Sequence, residues 1–162
     1  MEAVQGWSEF NVAMVGATAA LAGLVIVASS VNIAVIVKAA TVTSRLAAAI
    51  ATLVLAIIVG GLQLVPDISA TWFGAVVLAA SAGAAAFAIH AARVILRDPD
   101  PADRLRLLKG TVGFLPVAAY AAAGIVVFSE PAAAFALAAA GCLLAIVSAI
   151  VTSWVALVEV LR

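Results

Sequence analysis

Residues Phe10–Val37 read FNVAMVGATAALAGLVIVASSVNIAVIV, a run without a single charged side chain. A helix needs about 20 apolar residues to cross the roughly 30 Å hydrocarbon core of a bilayer. This stretch exceeds that length, so a helix formed by it must tilt or extend into the headgroup region. Residues Phe10–Val37 are therefore predicted to form a transmembrane helix.

The composition extends this prediction to the whole chain. Of its 162 residues, 67% are apolar and 10% are charged, and the mean hydropathy is +1.32. A soluble domain has roughly 45–50% apolar and about 25% charged residues. Four further stretches meet or approach the spanning length: Leu46–Val65, Thr71–Leu96, Thr111–Phe128 and Ala132–Leu161. We therefore predict an all-α integral membrane protein, a bundle of five transmembrane helices that forms a single transmembrane domain over residues 1–162.

Two short turns separate these stretches. Pro66 and Asp67 end the second span, because proline cannot continue a helix beyond its first turn, and Ser69 is suited to cap the third. Pro131 follows Ser129 and Glu130 and is suited to the first position of the fifth helix. Both turns predict antiparallel helix hairpins.

The basic residues predict the orientation. Cytoplasmic loops of membrane proteins are enriched in lysine and arginine. In the five-span arrangement all eight basic residues fall on one side, whereas the other side carries only acids, namely Glu2, Glu9, Asp67 and Glu130. The N-terminus is therefore predicted outside and the C-terminus in the cytoplasm.

One face of the first helix carries polar residues. At about 100° per residue, a narrow stripe holds Asn11, Thr18, Val25, Ser29 and Asn32. Our first hypothesis is a homo-oligomeric, cation-conducting channel in which this stripe lines a water-filled path at the axis of a ring of subunits. Glu9 would form an outer ring of carboxylates that favours cations, and Val25 or Ile36 would be an apolar constriction.

The alternative hypothesis is an accessory or scaffold subunit that docks on a larger membrane complex. Polar side chains then hydrogen-bond across helix contacts, and small residues mark the faces where helices pack closely. A second side of the first helix carries such small residues: Gly16, Ala19, Ala20, Gly23 and Ser30. The basic loop 97–110 is a candidate contact for a cytoplasmic protein partner.

A second candidate group lies near the cytoplasmic end. His90, Arg93 and Arg97 share one face of the third predicted helix, and Glu159 lies near the end of the fifth. The histidine is a candidate pH sensor because its unperturbed pKa is about 6.5. The simpler interpretation is that the two arginines extend to anionic headgroups or pair with Glu159.

Several function classes are disfavoured. Eight basic and eight acidic residues balance, so the chain has no electrostatic footprint for nucleic acid. Its one cysteine, Cys142, excludes an internal disulfide, and its one histidine leaves no pair of imidazoles for a metal. We therefore expect no enzymatic activity, no cofactor and no metal, with the lipid bilayer and further copies of the chain as partners.

The first helix resembles a family. The segments Trp7–Phe10, Gly16–Val25 and Ser29–Ile33 look like those of a group of small multi-span actinobacterial membrane proteins, some of which are labelled modulators of the FtsH protease. The resemblance covers about the first 33 residues. It implies a multi-pass protein of the bacterial inner (plasma) membrane and leaves the function open.

Overall fold

The computed structural model describes residues 2–97 and 113–160, and every regular element in these ranges is a helix. The helices are α1 (Glu2–Val31), α2 (Ile33–Ile36), α3 (Ala40–Leu62), α4 (Ala70–Arg97), α5 (Phe114–Val126) and α6 (Pro131–Val160). The all-α prediction is confirmed for the described residues.

Four helices contain a segment that is long and apolar enough to cross a membrane: Trp7–Val31, Ala40–Leu62, Ala70–Arg97 and Pro131–Ala156. The fourth predicted span, 111–128, corresponds to α5, which has 13 residues. Residues 111 and 112 lie outside the described part of the chain. In the described part of the chain, four helices are therefore long enough to cross a membrane, whereas the sequence predicted five.

The boundary between the first two spans differs from the prediction. The first span is divided at Asn32 into α1 and the single turn α2, and α3 begins at Ala40 rather than at Leu46. The hydroxyl of Thr43 donates a hydrogen bond of 2.7 Å to the carbonyl of Ile36, which ties the start of α3 to the end of α2. The polar residues before Leu46 are therefore helical, and Arg45 lies within the bundle.

The two predicted turns are confirmed at their caps. The backbone N–H of Trp72 donates to the Ser69 hydroxyl at 3.3 Å, as expected of a residue that caps α4. Asp67 has a φ of 53°, a left-handed conformation that aspartate tolerates better than most residues. Pro131 is the first residue of α6.

The helices pack around α3, which contacts α1, α4 and α6, while α5 packs against α4 and α6. Small side chains on α6 allow this close approach, because Ala134, Ala145 and Ala149 are fully buried. Aromatic side chains fill the space between α4 and α6: the rings of Phe73 and Phe135 meet edge to face, with centroids 6.0 Å apart.

The charged residues separate toward the two ends of this bundle. Glu9, Asp67 and Glu130 lie where α1 and α6 begin and α3 ends, which we call the acidic end. Lys38, Arg45, Arg93 and Arg97 lie at the opposite end, which we call the basic end, and Glu159 of α6 is also at this end.

α1 is the peripheral helix of the bundle. In its most apolar segment 17% of the residues are buried, against 33–44% in α3, α4 and α6. It packs mainly on α3 and only slightly on α6. Much of its surface is therefore left without a partner in the described structure.

Candidate functional site: the two faces of the first helix

The polar stripe of α1 faces the inside of the subunit: it packs on α3 at the acidic end, and on both α3 and α6 at the basic end. Asn11 and Val25 are each 4% exposed and Thr18 is fully buried, while Ser29 and Asn32 are half-buried at the basic end. Glu9 is exposed at the acidic end. The periodicity thus predicted correctly that the stripe residues share one face, and the structure directs that face toward the neighbouring helix.

A side-chain hydrogen bond joins this stripe to α3. The amide N–H of Asn11 donates to the Oε1 atom of Gln63 at 2.8 Å. Gln63 is the residue that ends α3, and sequence reasoning did not single it out. Two amides that meet in an apolar interface satisfy each other, so this pair fixes the register of α1 on α3 at the acidic end.

The other stripe residues bond to their own helix. The hydroxyl of Thr18 donates to the carbonyl of Met14 at 2.7 Å, and that of Ser29 donates to the carbonyl of Val25 at 2.7 Å. Such bonds to the preceding turn let a hydroxyl lie in an apolar contact without losing its hydrogen bond. Lining of a water-filled path at the axis of a ring stays a prediction. Thr18 is buried in helix packing, whereas Ser29 borders a small pocket between α1, α3 and α6 inside the subunit.

The Asn11–Gln63 bond provides a quantitative test of this interpretation. We expect Asn11→Ala and Gln63→Ala each to lower the free energy of unfolding, with a coupling energy between them of about 0.6–2 kcal/mol. A double-mutant cycle measured by reversible unfolding in detergent micelles gives this energy. Asn11→Ala paired with the remote Ser81→Ala is the control, and additive effects in both cycles would contradict a stabilising contact.

The opposite face of α1 carries three small, exposed residues between the exposed Val12 and Val27. Gly16, Ala20 and Gly23 are exposed, and a Cβ atom added at either glycine would meet nothing within 4 Å. We call these three residues the small-residue face. At other positions glycine allows two helices of the subunit to pack closely, because a side chain would clash. A Cβ added at Gly60 would lie 2.7 Å from Cγ2 of Val15, and one added at Gly74 would lie 3.0 Å from the carbonyl oxygen of Gly124. Among the described residues, the glycines of the small-residue face make no such close contact.

The second group of candidates, His90, Arg93 and Arg97, lies at the basic end. His90, Arg93 and Arg97 are all exposed on α4. The side chain of Glu159 and residues 98–110 of the predicted partner loop lie outside the described residues, so pairing of these arginines with Glu159 stays a prediction. Sequence reasoning missed the buried basic residue at this end, Arg45, which is only 9% exposed.

No protein-family model, curated protein or solved structure matches the chain. The resemblance of the first helix to actinobacterial membrane proteins therefore stays a prediction, and the functional argument rests on the geometry of α1.

Proposed function

We propose that the protein is a non-catalytic membrane scaffold subunit that self-associates through the small-residue face of α1. The observation that carries the proposal is that Gly16 and Gly23 are exposed on the peripheral helix, where an added Cβ would meet none of the described residues within 4 Å. Glycine within a helix is about 1 kcal/mol less favourable than alanine, so its presence there is best explained by a contact that needs it. In membranes, small residues spaced one turn apart are typical of close helix pairing.

A second copy of the chain fits this face. Two copies inserted in the same orientation present parallel α1 helices, and a two-fold axis along the membrane normal places the same residues opposite one another. The spacing of Gly16 and Ala20, four residues apart, gives a flat strip on both helices. No charged residue lies in this part of the helix to oppose contact.

The proposed subunit has five spans, with its N-terminus outside and its C-terminus in the cytoplasm of a bacterial inner membrane. The separation of the charges supports this orientation. Glu9, Asp67 and Glu130 lie at one end of the bundle, whereas Lys38, Arg93 and Arg97 lie at the other, together with a single acid of α6, Glu159. A cytoplasmic surface is expected to be rich in lysine and arginine.

The channel hypothesis requires a different orientation of α1 in the bundle. A path at the centre of a ring would require the stripe of Asn11, Thr18 and Val25 to turn away from α3 and face the axis. That rotation breaks the Asn11–Gln63 bond and exposes the buried Thr18. Assembly through the small-residue face leaves both contacts in place, so the scaffold is the function that the geometry favours.

The first experiment is the mass of the purified protein, measured by native mass spectrometry from nanodiscs. A discrete dimer is expected. A monomer at all protein concentrations would contradict the proposal. A ring of four or more copies whose conductance in planar bilayers changes in the Glu9→Gln variant would favour the channel instead.

A further inference from the structure

A long apolar groove lies between α3 and α4 on the surface of the bundle. Its volume is about 490 Å³, and each described residue that lines it is apolar. The floor of the groove contains the buried Leu55 and Ala84, and the exposed Val54 and Phe87 lie at its rim. A Cβ atom added at Gly83 would meet nothing within 4 Å, so this glycine keeps the groove open. The groove is separate from the small-residue face, which belongs to α1.

The dimensions of the groove suit one acyl chain. The groove extends over residues 47–58 of α3, which corresponds to about 16 Å of helix. One leaflet contributes about 15 Å to the hydrocarbon core of a bilayer. An apolar cavity of roughly 150 Å³ holds benzene, so the groove has room for about three times as many carbon atoms. A partner helix would cross the full core and would need a groove about twice as long.

Polar residues continue the line of the groove toward the basic end. Gly83, His90 and Arg97 are spaced seven residues apart on α4, a spacing that returns to nearly the same face of a helix. His90 and Arg97 are exposed, and they lie about 5 Å and about 15 Å beyond Phe87 along the helix. Side chains on a helix lean toward its N-terminus, which for α4 is the direction of the groove. These two residues are therefore placed to meet the headgroup of a lipid whose chain lies in the groove.

The charges at this end of the bundle favour an anionic headgroup. Arg93 and Arg97 are exposed on α4, and a guanidinium can bind a phosphate group through two parallel N–H···O bonds. Glu159 lies at the same end but belongs to α6, which contributes no residue to the groove. The acidic end, within the described ranges, has no lysine or arginine. The leaflet at the basic end is therefore the one that supplies the lipid.

We infer that the groove between α3 and α4 binds one acyl chain of an anionic phospholipid from the leaflet at the basic end, and that Arg97 binds the phosphate group of this lipid. The lipid site does not depend on the proposed self-association.

The test counts the lipids bound to the full chain by native mass spectrometry from detergent micelles. Phosphatidylglycerol and phosphatidylcholine with identical acyl chains are titrated separately, so that only the headgroup differs. We expect one phosphatidylglycerol per subunit to bind first. Its affinity should be about fivefold higher than that of phosphatidylcholine, which is the preference expected for one basic residue near an anionic headgroup.

Two variants locate the acyl chain and the headgroup. Gly83→Leu fills the groove and is expected to weaken the binding of both lipids by at least about tenfold, because the acyl chain would overlap the new side chain. Arg97→Gln is expected to remove only the preference for phosphatidylglycerol, and Arg97→Lys to retain most of it, because lysine keeps the positive charge. Ala82→Leu is the matched control, since Ala82 is exposed beside Gly83 but does not line the groove. It should leave both affinities unchanged.

Any of four results would overturn the inference. Equal affinities of the unmodified protein for the two lipids would mean that the site does not recognise the headgroup. Unchanged lipid binding in Gly83→Leu would place the acyl chain elsewhere, and a lower dimer fraction in that variant would make the groove a protein interface. An unchanged preference in Arg97→Gln would mean that Arg97 does not bind the phosphate group, as expected if it pairs with Glu159.

Discussion

Gly74→Leu is expected to force α4 away from α5 and to lower the free energy of unfolding by about 3 kcal/mol, at the upper end of what overpacking usually costs. A Cβ at this position would lie 2.7 Å from Cζ of Phe128 and 3.0 Å from the carbonyl oxygen of Gly124. The exposed ring of Phe128 can move aside, but the backbone of Gly124 moves only if the two helices separate. Reversible unfolding in detergent micelles measures the loss.

The matched control lies on the same helix. Gly83 is exposed, and a Cβ there would meet nothing within 4 Å, so Gly83→Leu should change the free energy of unfolding by less than about 0.5 kcal/mol. Equal losses in the two variants would mean that α4 does not pack on α5 as described.

The second prediction concerns assembly rather than folding. The double variant Gly16→Leu, Gly23→Leu should weaken self-association by at least about 100-fold, because two bulky side chains would hold apart helices that otherwise touch along their backbones. The subunit itself should remain folded, since a Cβ at either position would lie more than 4 Å from every neighbouring atom in the described part of the chain. Energy transfer between labelled copies in vesicles, measured across a range of protein-to-lipid ratios, gives the association constant.

Gly83→Leu is the control here too, because it adds the same side chain to an exposed position of another helix. It is expected to leave self-association unchanged. If the double variant associates as well as the unmodified protein, the small-residue face of α1 faces lipid alone and the proposed scaffold function is wrong.

That four helices are long and apolar enough to cross a membrane was predictable from the sequence, because hydropathy and length are properties of a single segment. The caps at Ser69 and Pro131 were predictable as well, since each depends on local chemistry at one residue. The grouping of Asn11, Thr18 and Val25 on one face followed from the helical period. These inferences all concern a single helix or a single turn.

The direction of that face was not predictable, because it depends on which helix packs against α1. Asn11 meets Gln63, a residue 52 positions away at the end of another helix, and nothing local to Asn11 identifies that partner. The same holds for the glycines. Gly23 and Gly74 look alike in the sequence, yet within the described ranges a Cβ would meet a neighbouring helix only at Gly74 of these two.

Arg45 illustrates a second limit. Threonines and a serine precede it, so the sequence favoured a loop up to Leu46, and a basic residue in a loop is expected to be solvated. Helix α3 instead begins at Ala40, since the hydroxyl of Thr43 bonds to the carbonyl of Ile36. Because the helix starts earlier, Arg45 lies within the bundle. Its burial is the result of tertiary packing, which the local sequence does not indicate.

The separation of 52 residues between Asn11 and Gln63 also has a consequence for biosynthesis. At a translation rate of about 5–20 residues per second, Gln63 emerges roughly 3–10 seconds after Asn11. In the proposed membrane arrangement, α1 spends that interval as a nascent helix whose amide has no partner from its own chain. The opposite face of α1, with Gly16 and Gly23, has already been synthesised at that stage. Neighbouring ribosomes on one messenger RNA would therefore insert α1 helices that can pair with each other before either one packs on its own α3.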